Sequence, residues 1–464
     1  MKKSTIYRCG MVAVAAAILS LSSCEKYLDD VRPNPNNAED VSMDNLLANL
    51  EVATFTNYEG NNARRAGIFM QQLAGTDGQM QIVAAYNVTE NDVTNEWKTI
   101  YSTALINCEK LIKKSGDTNP YYRGIARVLK AMNLGLATDQ WGDVPNREAY
   151  DGENANYTPH YDAQETVLGD IQTLLSDAIS DFAVASTSAG QLPSTSDFIF
   201  AGDNAKWTKI AWVLKARYIN HESLRYPGTS ATEALADLAA AGMTGSSDDA
   251  NCIFGSNGNE NNQWYVFNQT RFGYIRMGKY FIDMMNTNSD PRLPFYATLD
   301  DTGAYTGSDV NSNDITTSQL GTYYGDPTSI APLCTYVEAK FIEAEANLRL
   351  GNTAAAATAH NEAVAASILT VTGASDPTYE AAHAAETGAT ITLQKIMTEK
   401  YVAMFTQVEV WSDWRRTGFP ALTPNPSGVV NGIPRSLPTS VDERVNNPNA
   451  PAQNNILNHV WWDM

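Results

Sequence analysis

The stretch Tyr336–Ile368, YVEAKFIEAEANLRLGNTAAAATAHNEAVAASI, decides the fold. Apolar residues recur at helical spacing on both sides of Leu350-Gly351, and that pair reads as a turn between two antiparallel helices. Ala344 and Ala356 are small where the helices must approach closely, and Ala363 repeats the device further on. The spacing matches the tetratricopeptide pattern loosely, without its large aromatic at the start of the first helix. On its own the unit is equally any helical hairpin.

Working outward, further helical patterns run over about 42–57, 63–74, 90–114, 118–140, 161–184 and 204–226. Candidate pairs at 94–140, 163–226 and 391 onward turn the single hairpin into a repeat. Asn119-Pro120 divides one pair, and an Asn/Gly/Pro-rich stretch from Asp143 to His160 separates it from the next. The expected fold is therefore all-α dominated, a tetratricopeptide-like scaffold of about four helix pairs with long loop insertions. Repeats are placed at about 90–226 and 331–416, within one domain spanning 42–464. Between Gly242 and Ile330 the helical period fades into Gly, Asn, Ser, Thr and Tyr. There NENNQWYVFNQTRFGYIRMGKYF (259–281) suggests a short β-hairpin before a helix at about 276–287. The segment 299–332 reads as long loops, which in a compact helical body are usually functional or disordered.

The N-terminus carries a different message. Lys2, Lys3 and Arg8 precede an apolar run from Met11 to Leu21, too short to span a bilayer, and then Leu21-Ser22-Ser23-Cys24. This is signal-peptide anatomy over 1–23. Leu-Ser-Ser-Cys resembles a bacterial lipobox, which makes Cys24 the acylated first residue of the mature chain; an ordinary secreted protein is the alternative. Residues 24–41, including DVRPNPNNAED (30–40), read as a tether. Glu25 and Asp29-Asp30 favour the outer membrane and surface exposure.

The chain has 464 residues, 43% of them hydrophobic, and so can bury a substantial core. Its formal charge is −20; without Lys2, Lys3 and Arg8 it carries 29 basic against 52 acidic residues, or −23. Such a surface repels nucleic acid and anionic lipid. Removing Cys9 and acylating Cys24 leaves Cys108, Cys252 and Cys334, an odd and widely spaced set that suits buried apolar roles better than disulfides. Cys108 lies within a helical pattern and Cys334 opens one.

No P-loop, dinucleotide fingerprint, zincin motif or nucleophile elbow occurs. The histidines, at 160, 221, 360, 383 and 459, lack metal-site spacing and read as solvated or core residues. DVNSND (309–314) starts like a calcium loop but has no Gly at its sixth position, and Leu320 stands where the bidentate Glu belongs. No cofactor is expected, although the Asp/Asn loops leave room for a structural calcium of another kind. Asp248-Asp249 and Asp300-Asp301 are loop carboxylate pairs of the type a glycoside hydrolase needs, with solvated charge as the default reading. What stands out is a set of aromatics on polar loops: Trp264, Tyr265, Phe267, Tyr274, Tyr305, Tyr323 and Tyr324. Rings can bury sugar faces or peptide side chains while amides fix hydroxyls and carbonyls. Trp264, Tyr265, Tyr274, Tyr305, Tyr323 and Tyr324 are thus the candidate ligand contacts; the alternative is that each ring anchors its own loop.

Several stretches, taken in order, resemble the SusD/RagB-like family of outer-membrane lipoproteins, in particular its SusD-like variant branch. They are DQWGDVPNREAY (139–150), NAKWTKIAWVLKARYIN (204–220), VEVWSDWRRTGFP (408–420), GIPRSLPTSVDERVNNPN (432–449) and the chain end HVWWDM. Pro438-Thr439 stands where many relatives show Tyr-Pro. The resemblance implies four tetratricopeptide-like pairs with a ligand face built from variable insertions. It also implies a SusC-like TonB-dependent transporter as partner, to which the lipoprotein delivers an oligosaccharide or peptide without cleaving it. A surface glycoside hydrolase and a structural tetratricopeptide adaptor of an envelope complex are the competing functions. Trp411, Trp414, Arg415 and Arg416 read as scaffold: the tryptophans share one helix face and the arginines cap carbonyls at its C-terminus.

Overall fold

A computed structural model describes residues 41–150 and 156–464; Cys24, the signal peptide and most of the tether lie outside the described residues. The architecture is predominantly helical. The described residues open with α1 (Met43–Glu59), whose N-terminus is capped by the Ser42 side chain accepting from the Asn45 N–H, and α2 (Asn61–Phe69).

The first repeat pairs a helical segment ending in α3 (Ile106–Ser115) with α4 (Pro120–Trp141). Pro120 occupies the first turn of α4, where its missing N–H costs nothing. The segment before α3 contains a π-helical stretch, Thr99–Leu105. Next come α5 (Gln164–Phe182) and α6 (Asn204–His221), the latter capped by Asp203. The pattern expected to continue to 226 instead breaks, and Pro227 starts a separate helix, α7 (Pro227–Ala241). After the insertion, which holds α8 (Gln263–Thr270) and α9 (Lys279–Asn288), two further pairs follow: α10 (Tyr336–Arg349) with α11 (Thr353–Thr372), and α12 (Leu393–Ala403) with α13 (Glu409–Thr417).

Successive helices stack as the repeat reading requires, α4 on α5, α5 on α6, α6 on α7, α7 on α10 and α10 on α11 and α12. Small residues set the approach. A Cβ on Gly135 in α4 would lie 2.3 Å from the ring and hydroxyl of Tyr218 in α6, and one on Gly124 would lie 2.6 Å from the Phe182 ring. Ala344, Ala356 and Ala363 are fully buried together between α10 and α11.

The insertion departs from expectation. Residues 263–270 form a helix rather than the first arm of a hairpin, because Asn262 caps it, accepting from the N–H groups of Trp264 and Tyr265. The strand that follows, β3 (Ile275–Met277), finds a distant partner, β1 (Leu73–Gly75), in an antiparallel pair. A second antiparallel ribbon joins β2 (Ala250–Cys252) to β4 (Ala331–Cys334). Cys334 therefore ends a strand instead of opening a helix, and Cys108, Cys252 and Cys334 are all free and buried.

The motif tryptophans hold the C-terminal segment onto the repeats. Trp141 Nε1 donates to the Pro438 carbonyl, Trp411 Nε1 to that of Pro434, and Trp462 Nε1 to Asp139 Oδ1. The arginines of α13 reach away from its C-terminus rather than capping it. Arg415 donates to the carbonyls of Asp139 and Arg435, while Arg416 pairs with Glu345 of α10 and with Asp413. Arg217 of α6 is likewise buried against Glu338 of α10. These buried pairs fix the helices to one another, since an unpaired charge in their place would carry a large desolvation cost.

Candidate functional site

An open, largely apolar cleft lies where α1, the loop before α6 and the segment between β2 and α8 meet. It has a volume of about 500 Å³. The outer face of α1 supplies Val52, Phe55 and Thr56, the α5–α6 loop supplies Phe198, and the insertion supplies Ile253, Phe254 and Gly255. Asn259, Glu260, Asn261 and Gln263 form a polar rim. Val52, Phe198 and Ile253 are 51%, 43% and 46% exposed, an apolar surface that a globular body normally covers.

Each wall is locally built. Asp197 closes the turn that presents Phe198: Oδ1 accepts from the N–H groups of Ile199 and Phe200, and Oδ2 from Gly202 N and Trp207 Nε1. Phe198 N–H itself donates to Glu51 Oε2 at 2.7 Å, pinning the loop to α1. Burial, reinforced by the neighbouring Asp197 charge, holds the Glu51 carboxyl well above the usual carboxylate range. Phe254 packs edge-on against Phe55, with centroids 6.1 Å apart. On the rim Gly255 N–H donates to the Glu260 carbonyl, Asn261 donates to the Gly255 carbonyl, and Asn257 donates to Glu260 Oε2. A Cβ on Gly255 would lie 2.2 Å from Glu260 Oε2, so a side chain there would displace the Glu260 carboxylate from its place on the rim. The result is an apolar floor ringed by amides and one carboxylate, which suits a ligand with one apolar face and polar edges.

The six aromatics singled out from the sequence do not form one surface. Trp264 is 1% exposed; its ring sits in the core and its Nε1 donates to Glu59 Oε2 at 2.9 Å, with the Arg64 guanidinium over the ring. The reason is local: capping by Asn262 turns residues 263–270 into a helix whose inner face carries Trp264 and Phe267. Burial pushes the Glu59 carboxyl up to about 8 even though the Trp264 N–H and Arg64 favour its charged form. Tyr265 is half-buried and does not line the cleft, although Gln263, two residues earlier in the chain, does. Tyr274 packs against Gly78 and edge-on to Phe267, and Tyr305 is half-buried against the main core. Tyr324 is buried, stacked on Tyr296 and edge-on to Phe405, and Tyr323 packs beside it. Trp264 and Tyr324 are thus core residues; Tyr323 and Tyr324 line a separate recess. Missing from the sequence reading were Val52, Phe55, Phe198, Ile253 and Phe254. Their one signal was apolar residues in polar, non-periodic surroundings, as in SDFIF (196–200) and CIFGSNGNENN (252–262).

One member of each acidic pair has structural work. Asp248 forms an ion pair with Lys209, and Asp300 closes its own turn by accepting from Thr302, Ala304 and Thr306. Within the calcium-like stretch Asp314 accepts from Thr316 N–H and its hydroxyl. Among the described residues, the one close group of metal-ligand type is Asp139, His221 and Glu409, and it is buried. His221 Nδ1 lies 3.2 Å from Asp139 and Nε2 lies 2.5 Å from Glu409. Burial opposes the imidazolium, but the two carboxylates outweigh it and raise His221 to about 10, while Glu409 is held at about 2. The imidazolium occupies the place of a cation, so this cluster is a core ion triad, in keeping with a core role for His221.

A stack of paired helices bearing a loop-built cleft defines a helical-repeat binding protein. Residues 35–437 match the profile of a SusD-like family described as starch-binding and associating with the outer membrane, and the chain belongs to this family. Solved structures agree in fold. A SusD/RagB family protein from Bacteroides thetaiotaomicron is 23% identical with a TM-score of 0.75, covering 91% of this chain and 99% of its own. A chitin-binding SusD homolog from Flavobacterium johnsoniae is 21% identical with a TM-score of 0.76, covering 90% and 97%. A SusD homolog from Bacteroides fragilis is 21% identical with a TM-score of 0.74, covering 90% and 100%. No curated protein sequence matches the chain. No helix among the described residues is long and apolar enough to cross a membrane.

Proposed function

We propose that the protein captures an oligosaccharide in the cleft between α1 and the insertion and delivers it, uncleaved, to a SusC-like TonB-dependent transporter. The observation that carries the reading is the exposed apolar floor of Val52, Phe198 and Ile253 beneath the rim of Asn259, Glu260, Asn261 and Gln263. Pyranose rings have apolar C–H faces and hydroxyl edges, and this floor and rim complement both. The family description as starch-binding and a relative described as chitin-binding support a glycan over a peptide. Acylation of Cys24 would hold the body at the outer-membrane surface, where a captured ligand is already next to the importer.

The test is calorimetric titration with starch-type and chitin-type oligosaccharides, followed by product analysis. Binding without cleavage, weakened at least about tenfold by Phe198→Ala, a loss of about 1.4 kcal/mol, is expected. Hydrolysis of the ligand, or failure of both glycan types to bind, overturns the reading. Incorporation of labelled fatty acid that disappears in Cys24→Ser tests the anchor. Recovery of a β-barrel transporter with the tagged lipoprotein from outer membranes tests the partner.

A further inference from the structure

A second recess, with a volume of about 220 Å³, is lined in part by the β2–β4 ribbon. Its walls come from the segment before β2, the turn at 322–325, the start of α10 and the ends of α11 and α12. Its apolar lining includes the half-buried Tyr323 ring, Val337 and Val371, and its polar lining includes Asp249, Asn251 and Gln407.

These polar groups have little else to do. Asp249 Oδ1 accepts from the Tyr336 N–H at 2.7 Å, which fixes the carboxylate at the start of α10, and its second oxygen has no protein hydrogen bond among the described residues. No ion pair to Asp249 occurs among them either, whereas its neighbour Asp248 is paired with Lys209. The Gln407 side chain is 6% exposed, yet its amide makes no hydrogen bond within the described residues, and neither does that of Asn251. Neither amide is committed to a protein partner, so both are available to meet a ligand's hydroxyls in the recess. The Tyr323 ring, by contrast, is held: its hydroxyl donates to the Thr370 carbonyl at 3.3 Å and the ring makes T-shaped contacts with Tyr296 and Tyr324.

From this combination we infer that the recess is a second saccharide site, taking a single sugar ring with its hydroxyls on Asp249, Asn251 and Gln407 and its apolar face toward Tyr323. The inference rests on the glycan reading of the protein but not on the main cleft, whose lining shares no residue with the recess. Burial raises the Asp249 carboxyl to about 7, so near neutrality it can both accept from and donate to sugar hydroxyls.

The experiment uses the intact mature protein with glucose and N-acetylglucosamine as probes, read by saturation-transfer NMR and by soaking crystals in each sugar. Saturation transfer that survives Phe198→Ala but falls at least fivefold in Asn251→Ala and in Gln407→Ala is expected, with sugar density in the recess. Asn251→Ala and Gln407→Ala leave the Asp249–Tyr336 contact untouched; circular dichroism establishes that each folds. Absence of binding by both sugars, loss of binding in Phe198→Ala alone, or density confined to the main cleft overturns the second site. Failure of the main reading is separately visible, since it removes oligosaccharide binding that Phe198→Ala weakens.

Discussion

Trp264 separates a ligand-contact reading from a core reading, and the perturbation is Trp264→Ala. The ring is buried, so truncation removes a large apolar volume from a packed interior; such changes cost about 3–5 kcal/mol. Glu59 adds to this. Its Oε2 accepts from Trp264 Nε1 and its Oε1 has no partner, so the variant leaves a buried carboxyl unsatisfied at a further cost of about 1–3 kcal/mol. At about 2.1 cal/mol/K per residue, the roughly 420 described residues unfold with an entropy of about 0.9 kcal/mol/K. A loss of about 5 kcal/mol then lowers the melting temperature by about 5–6 °C. Trp264→Phe keeps most of the volume and removes only the donor, so its effect is smaller and depends on pH. Glu59 titrates near 8 in the folded protein, above the ordinary carboxyl value of 4.5, so the stability tied to its bound proton is complete below 4.5 and lost as pH rises through 8. The indole N–H favours the ionised carboxylate, and Trp264→Phe is therefore more destabilising at pH 9 than at pH 5. The assay is thermal unfolding by circular dichroism, with oligosaccharide titration in parallel. An unchanged melting temperature together with lost binding would falsify the core assignment and return the ring to the ligand face.

Three other perturbations probe the scaffold. Arg416→Met leaves Glu345 and Asp413 facing a neutral side chain in the core and costs about 3–5 kcal/mol in denaturant unfolding; Arg416→Met combined with Glu345→Gln recovers part of it. Gly135→Ala drives a methyl into Tyr218 between α4 and α6 and costs about 1–3 kcal/mol, and adding Tyr218→Leu relieves it; equal melting temperatures for Gly135→Ala and the wild type would refute the close approach. His221 titrates near 10 against an ordinary 6.5, so its contribution is complete below 6.5 and fades as pH rises through 10. The melting-temperature gap between wild type and His221→Asn accordingly narrows over that interval, and a gap that widens contradicts the triad.

The repeat scaffold was legible because helices announce themselves through local rules. The Leu350-Gly351 turn, Pro120 at a helix start and Ala344 against Ala356 are each read within a few residues, and each stands in the structure as expected. Pro227 could have been read the same way, as a start signal for α7 just past the pattern read over 204–226. The recognition surface was not legible. Aromatic residues on a polar background look alike whether they face solvent or core, and Trp264 went inward because a neighbouring cap made a helix of its loop. Phe198 faces out because Asp197 turns the chain beneath it.

The sequence by itself determined an all-α repeat body and membership in a family of outer-membrane-associated binding proteins, because helix period, turn residues and motif order are properties of adjacent positions. Only the tertiary structure decided where a ligand can sit. The main cleft joins residues 52–56, 198 and 253–263, and β3 pairs with a strand some 200 residues earlier in the chain. Exposure is set by what packs on a side chain from elsewhere in the chain, so no local pattern could distinguish Phe198 at a cleft from Trp264 in the core.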